Sequence, residues 1–358
     1  MTDVPDNEHT PSGPGKRPTI NDVAHLAGVS KKTVSRVINR VATVGEDVRE
    51  RVDNAICALG FTPNLQARSL AFRRSFLVGL IYDNPSPTYV VNMQLGVLDA
   101  LGPLGFELVV HPCSREAPSL LDDIRGFVER QRLAGAILPP PLSEDERIIA
   151  LLRELGCRYV RVAALALDEP EAMVTTNDQL GAAEAARWLV DQGHRRIALV
   201  RGPSSFCSSE VRGQGFLSAL AERGITLDPA CDVAGAYTFE SGVEMGHRLL
   251  GLADPPTAIF ALNDDMAIGV MQAARERGLD LPAQLSIVGF DDLPMAARVW
   301  PNLTSVRLPI REMGNMAALK LLAPIVGDAL EPLSLPDVRP ALVLRQSAIA
   351  LPGAEPPR

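Results

Sequence analysis

Two groups of side chains in this sequence have types and spacings suited to recognition chemistry. The first closes or follows short apolar runs: Tyr82, Asp83 and Tyr89 at the end of Phe76 to Tyr82, Phe206 and Arg212 after Ile197 to Arg201, Asn263 and Asp264 after Ala258 to Ala261, and Asp291 after Leu285 to Phe290. Arginine offers planar donors, carboxylates accept hydroxyl hydrogens, and aromatic rings cover an apolar sugar face, so this set suits a polyhydroxylated ligand. The second group lies in Ala27 to Asn39, AGVSKKTVSRVIN. Gly28 suits a tight turn, Ser30 can cap the next helix, and Val34, Val37 and Ile38 recur at helical spacing. Ser30, Lys31, Lys32, Thr33, Ser35, Arg36 and Asn39 are then left to reach phosphates or base edges in a major groove. Bland alternatives exist for each: a solvated basic face for KKTVSR, a helix cap for Asp264, a turn carboxylate for Asp291.

Catalytic signatures are absent. The chain has no GxSxG, HExxH or Walker loop, and Gly213-Gln214-Gly215 continues to Ser218 rather than to the third glycine of a dinucleotide fingerprint. Its five histidines show no metal-ligand spacing. No catalytic residue, metal ion or cofactor is therefore expected. His194 and Arg195, which precede a strand at a helix exit, read as structural.

The 358 residues are 46% hydrophobic, long enough for two or three domains with a sizeable core. Apolar runs fall well short of the roughly 20 residues that a membrane helix needs. The first 17 residues lack an apolar signal core and are rich in Pro, Gly, Asp and Asn, which reads as a disordered lead on a cytoplasmic protein. Five cysteines without a CxxC pair read as reduced. The net charge of -8 opposes nucleic-acid binding, yet Lys16 to Arg74 holds 11 basic against 5 acidic residues. A basic head precedes an acidic body.

Three short helices are expected in that head. Thr19 and Asp22 form a capping-box pattern before Ile20, Val23, Ala24 and Ala27. The Lys31 helix follows, and a third runs from Glu46 to Leu59 with Val48, Val52, Ala55, Ile56 and Leu59 inward. Phe61 to Ala71, FTPNLQARSLA, has room for only two helical turns, which are marginal alone in water. Beyond Ser75, apolar runs at 76–82, 107–111, 134–138, 158–162, 197–201, 258–261 and 285–290 alternate with helical patterns at 89–101, 181–192, 212–223, 240–250 and 264–277. Such alternation predicts parallel sheets covered on both faces, in two subdomains.

Asp22-Val23-Ala24, Ala27-Gly28-Val29-Ser30, Thr33-Val34-Ser35-Arg36-Val37 and Ala67-Arg68-Ser69-Leu70 resemble the headpiece and hinge of the lactose/galactose repressor (LacI/GalR) family. Gly193-His194-Arg195-Arg196-Ile197-Ala198, Phe239-Glu240-Ser241-Gly242, Asn263-Asp264-Asp265-Met266-Ala267 and Val288-Gly289-Phe290-Asp291-Asp292 extend the resemblance through the body. It implies an α/β chain with an N-terminal three-helix helix-turn-helix headpiece and hinge helix, then a periplasmic-binding-protein-like body of two Rossmann-like subdomains. The expected parts are a disordered lead at 1–17, the DNA-binding domain at 18–62, the hinge helix and linker at 63–74, an effector-binding and dimerisation domain at 75–348, and a tail at 349–358. Within the body, the N-subdomain takes about 75–176 plus 307–335 and the C-subdomain about 177–306 plus 336–348.

The resemblance also assigns roles. Lys31, Lys32 and Arg36 match positions that read the operator, with Ile20, Asn64 and Ala67 as further DNA contacts, and Leu70 matches a leucine wedged into the central base step from the minor groove. Arg212, Asp264 and Asp291 match polar effector contacts, walled by Phe206, Phe216 and Tyr237. The function implied is a homodimeric, sequence-specific repressor of carbohydrate utilisation genes, bound to a pseudo-palindromic operator and controlled by a small ligand, a sugar, with no membrane partner. A purine- or nucleoside-responsive or corepressor-dependent regulator of the same family stays open beside it, as does a transport-type sugar-binding protein. A sugar-modifying enzyme is opposed by the missing motifs.

Overall fold

The computed structural model describes residues 18–38, 44–61, 75–326 and 338–351. The chain divides into two compact units, Met1–Ser75 and Phe76–Arg358.

In the first unit, α1 (Ile20–Ala27), α2 (Lys31–Ile38) and α3 (Glu46–Leu59) share one small core. Thr19 donates from both its backbone N and its Oγ1 to the Asp22 carboxylate at 2.7 Å, which ties down the start of α1. Gly28 takes φ +64° to turn the chain into α2, where the Ser30 hydroxyl accepts from the Thr33 N–H at 3.1 Å. Val23, Ala24, Ala27, Val34, Val37, Val52 and Ala55 are buried together, with Ile20, Ile56 and Leu59 packed at the margin. Val48 is only half-buried.

The second unit begins with β1 (Leu77–Tyr82), α4 (Pro87–Leu104), β2 (Glu107–Pro112), α5 (Leu120–Gln131), β3 (Gly135–Leu138), α6 (Glu146–Glu154), β4 (Tyr159–Ala163) and β5 (Met173–Thr175). It continues through α7 (Asp178–Asp191), β6 (Ile197–Arg201), α8 (Cys207–Glu222), β7 (Asp232–Ala234), α9 (Phe239–Leu250), β8 (Ala258–Ala261), α10 (Asp264–Glu276) and β9 (Ser286–Asp291). The last elements are β10 (Thr304–Arg307), α11 (Ile310–Val326) and β11 (Ala341–Val343).

One sheet runs β2-β1-β3-β4-β5 and the other β11-β10-β9-β8-β6-β7. Pairing is parallel except between β10 and β11. Each sheet therefore turns back on itself beside its first strand, at β2-β1-β3 and at β7-β6-β8, and such switch points open a crevice beyond the carboxyl ends of the strands. The chain passes from the first sheet to the second after β5 and returns after β10, where α11 packs against α4. That crossing is close: a Cβ at Gly96 would fall 1.8 Å from the Arg311 carbonyl oxygen. Arg311 also reaches Asp99 on α4 at 2.6 Å.

Four strands, β5, β7, β10 and β11, were not expected from the apolar runs. β5, β7 and β11 have only three residues each, and β10, Thr304-Ser305-Val306-Arg307, is mostly polar, so none of them shows an apolar run. Helix α8 starts at Cys207 rather than near Arg212, because its polar first turn, Cys207-Ser208-Ser209-Glu210, hides the helical stripe.

Candidate functional site

A cavity with an empty volume of about 490 Å³ opens between the two sheets of the second unit. It is lined from both sides by the segments that follow strands: Asn84, Ser86 and Tyr89 after β1, Pro140 after β3, Ala164 after β4, Thr176 and Asp178 after β5. Opposite stand Phe206, Ser208 and Arg212 after β6, Tyr237 after β7, Asn263 after β8, Asp291 at the end of β9 and Leu308 after β10.

Arg212, on the second turn of α8, is its electrostatic centre. Its Nε donates to Asp178 Oδ2 at 2.6 Å and its Nη1 to the Leu262 carbonyl at 2.7 Å. Nη1 also lies 3.3 Å from Asp291 Oδ1, and the guanidinium lies over the Phe290 ring at 3.9 Å. Burial works against the charge of Arg212, but Asp178 and Asp291 outweigh it and hold its pKa above the ordinary arginine value. Nη2 has no protein partner among the described residues.

Asp291 stands in the left-handed region at φ +104°, a conformation that costs energy and is retained only where the surroundings impose it. Its contact with Arg212 is off the line of a hydrogen bond, so buried Oδ1 carries none. Burial pushes the carboxyl up to about 7; Arg212 opposes the rise and Asp178 and Asp265 add to it. Tyr237, at φ +61°, stands edge-on to Phe206 with ring centroids 5.3 Å apart. Its ring lies against Gly202, where a Cβ would come within 2.1 Å of it. Ser208 is beside the Tyr237 hydroxyl without hydrogen-bond geometry, so that buried oxygen is also unsatisfied. Asn263 donates from Nδ2 to the Tyr237 carbonyl at 3.0 Å and accepts from the Met266 N–H at 2.9 Å, so it caps α10 and fixes the Tyr237 loop at once.

Of the expected effector residues, Tyr89, Phe206, Arg212, Tyr237, Asn263 and Asp291 are brought together and four lie outside the cavity. Phe216, one turn beyond Arg212 on α8, is fully buried and stacks on Phe260 at 4.7 Å, facing the sheet. Asp264 is also fully buried; it accepts from Ser305 Oγ at 2.5 Å and from the Leu293 N–H at 2.7 Å, bracing the loop after β9 from behind. The Asp83 carboxylate accepts from the Arg115 N–H at 2.8 Å. Tyr82 packs its ring on the core while its carbonyl accepts from the Cys113 N–H at 3.0 Å.

The sequence reading missed Asp178, Thr176, Ser208, Asn84 and Ser86. Thr176 Oγ1 donates to Asp178 Oδ1, so this carboxylate is held by two partners, Thr176 and Arg212. The signal that could have found it is Arg212 itself, a buried guanidinium that demands a carboxylate.

Three contacts join the sheets' flanking segments across the cavity mouth. Arg115 Nη1 donates to the Ser205 carbonyl at 2.7 Å, the Cys207 N–H donates to Glu144 Oε2 at 3.0 Å, and Ser86 Oγ lies 3.4 Å from Asp265 Oδ2. Glu144, whose other oxygen is buried without a partner, is pushed above its ordinary pKa by burial. Among the described residues no group of His, Cys, Asp and Glu side chains could hold a metal ion.

In the first unit, Ser30, Lys31, Lys32 and Arg36 are exposed, while Thr33 and Ser35 are partly covered. Three basic side chains, Lys31, Lys32 and Arg36, thus stand on the outer face of α2, opposite buried Val34 and Val37. Ile20 is half-buried against the small core. Asn39, Asn64, Ala67 and Leu70, with the expected hinge helix, lie outside the described residues. No helix among the described residues is long and apolar enough to cross a membrane.

Residues 19–64 match the family described as bacterial regulatory proteins, lacI family, and residues 186–348 match the periplasmic binding protein-like domain. The chain is 34% identical over 311 residues to the probable HTH-type transcriptional repressor ExuR of Bacillus subtilis, covering 85% of this chain and 91% of that one. Its fold superimposes on the transcriptional regulator CelR in complex with cellobiose with a TM-score of 0.68 at 31% identity, covering 92% of this chain and all of the other. With the lac repressor dimer bound to operator and the anti-inducer ONPF the TM-score is 0.73 at 29% identity, with 94% and 100% covered. A helix-turn-helix head with a basic outer face, two parallel sheets around a polar cleft, and these likenesses over nearly the whole length lead to one assignment: the chain belongs to the lacI family of bacterial regulatory proteins.

Proposed function

We propose that this protein is a homodimeric repressor of carbohydrate utilisation genes whose grip on a pseudo-palindromic operator is set by a sugar bound in the cleft. The observation that carries the reading is Arg212, buried between Asp178 and Asp291 in the cleft, with Asp291 Oδ1 and the Tyr237 hydroxyl left for a ligand. Donors, acceptors and aromatic walls converge there, the combination that fixes and orients a small ligand. ExuR is named as a probable repressor, CelR holds cellobiose, and the lac repressor is a dimer on its operator, which supports the same assignment here.

On this reading the basic face of α2 enters the major groove, Lys31 and Lys32 reading base edges and Arg36 engaging phosphates or bases. Two-fold symmetry of the protein matches two-fold symmetry of the site. A sugar that binds across the cleft stabilises the arrangement in which Glu144, Arg115 and Ser86 meet the second sheet's loops, and its differential affinity for that arrangement is what shifts operator binding. The work is regulatory rather than enzymatic and belongs in the cytoplasm. The test is retention of a palindromic fragment taken from beside the protein's own gene by the purified full chain at low salt: retention of that fragment over a scrambled one supports the reading, and equal binding of both sinks it.

A further inference from the structure

We infer that the cleft selects an uncharged, hydroxyl-rich ligand and excludes its anionic relatives, sugar phosphates and sugar acids. The inference rests on the sugar-responsive reading above and narrows its ligand class.

The charged side chains that line the cavity are Asp178, Arg212 and Asp291. The one cation is already taken: its Nε sits 2.6 Å from Asp178, and its Nη1 is shared between the Leu262 carbonyl and Asp291. An anionic group brought to Arg212 meets two carboxylates at the same approach, and with water excluded that repulsion is felt strongly. Around the cavity, Arg115 faces Glu144 at the mouth and offsets it, away from the Arg212 cluster. Glu144 stands near the Tyr89 end of the cavity, and the Tyr89 phenol is pushed up by burial and then by Asp291 and Asp178, with Arg212 opposing.

The unsatisfied atoms point the same way. Asp291 Oδ1 is a buried acceptor without a donor, and the Tyr237 hydroxyl is likewise buried without a hydrogen bond. A polyol serves both, one hydroxyl donating to the carboxylate while another pairs with the phenol. A phosphate or carboxylate group placed at this point has acceptors only, so there it leaves Asp291 unpaired and adds a like charge beside it, and when a ring hydroxyl takes that place the anionic group still lies in the field of both carboxylates.

The experiment is a thermal-shift and calorimetric panel on the full chain at pH 8, where each probe sugar is offered as the neutral parent, its phosphate and its uronic acid, with inorganic phosphate as an anion-only probe. The expected result is stabilisation by a neutral sugar, binding of its phosphate and acid forms weaker by roughly tenfold or more, and no shift from inorganic phosphate. Asp291→Asn keeps the side-chain shape and a residue type that tolerates positive φ, and it is expected to narrow the gap between neutral and anionic forms. An acid or phosphate that binds as tightly as its neutral parent overturns the charge rule while leaving the sugar-responsive reading standing. Stabilisation by the anionic forms alone also overturns the charge rule, and a panel in which no form of any sugar shifts the chain overturns the sugar-responsive reading with it.

Discussion

Arg212 Nε and Asp178 Oδ2 lie 2.6 Å apart, both buried, joining the helix after β6 to the helix after β5. Removing the arginine leaves Asp178 and Asp291 as uncompensated buried charges, a change that typically costs about 3–5 kcal/mol. Arg212→Ala is therefore expected to lower the urea midpoint of the full chain severely at pH 8, and Arg212→Lys to recover only part of the loss, since an ammonium cannot reproduce the planar fork. A midpoint close to wild type for Arg212→Ala would show that the pair is not holding the cleft.

Asp291 gives a pH signature with a defined sign. Its carboxyl titrates at about 7 in the folded chain against an ordinary value of 3.8, so the folded state favours the protonated form. The stability this group contributes is fully present below about pH 4 and is lost as pH rises through about 7. Asp291→Asn lacks that loss. Its stability relative to wild type is expected to climb between pH 4 and 7 and to level off above, as read by urea unfolding at several pH values. A difference independent of pH would contradict the assignment. Because a ligand hydroxyl donates to the ionised carboxylate, sugar affinity is expected to strengthen over the upper part of the same interval.

How much of this was readable from the sequence depended on segment length. Strands such as Leu77–Tyr82 and Ser286–Asp291 carry their own apolar runs, so Tyr89 beyond the first and Asp291 at the end of the second could be placed at strand ends, where they line the cavity. β5, of three residues, has no such signature, and Asp178 behind it was missed. Asp264 shows the opposite failure. Its place after a strand fits a ligand contact, yet the tertiary fold surrounds it with Ser305 and the Leu293 N–H and turns it away from the cavity. Phe216 likewise fits the helix that carries Arg212 but falls on the face that packs on Phe260. Which face of a helix meets a cleft follows from how two subdomains pack, and that is not written in local spacing.

The cross-cleft bond from the Cys207 N–H to Glu144 Oε2 predicts a local protection pattern. Glu144→Ala removes the acceptor at the start of α8, and amide exchange at Cys207 is expected to accelerate. Glu144→Gln keeps a carbonyl oxygen there and is expected to preserve most of the protection. Equal exchange in all three proteins would mean that the contact is not populated in solution.

In the headpiece, the Ser30 hydroxyl that accepts from Thr33 N–H at 3.1 Å fixes the start of α2. Ser30→Ala is expected to cost about 1 kcal/mol of headpiece stability. Amide exchange in Lys31–Ile38 measures it; unchanged exchange there would remove the capping role.

The central claim is that a ligand in the cleft controls operator affinity. The direct measurement is fluorescence anisotropy of a labelled palindromic operator titrated with the full chain, without and with a saturating neutral sugar from the panel, in wild type and in Asp178→Asn. The expected result is a shift of roughly tenfold or more in operator Kd for wild type, within the usual range of allosteric coupling, and a much smaller shift for Asp178→Asn at the same sugar concentration. An operator Kd that stays the same with and without bound sugar in wild type would contradict the account.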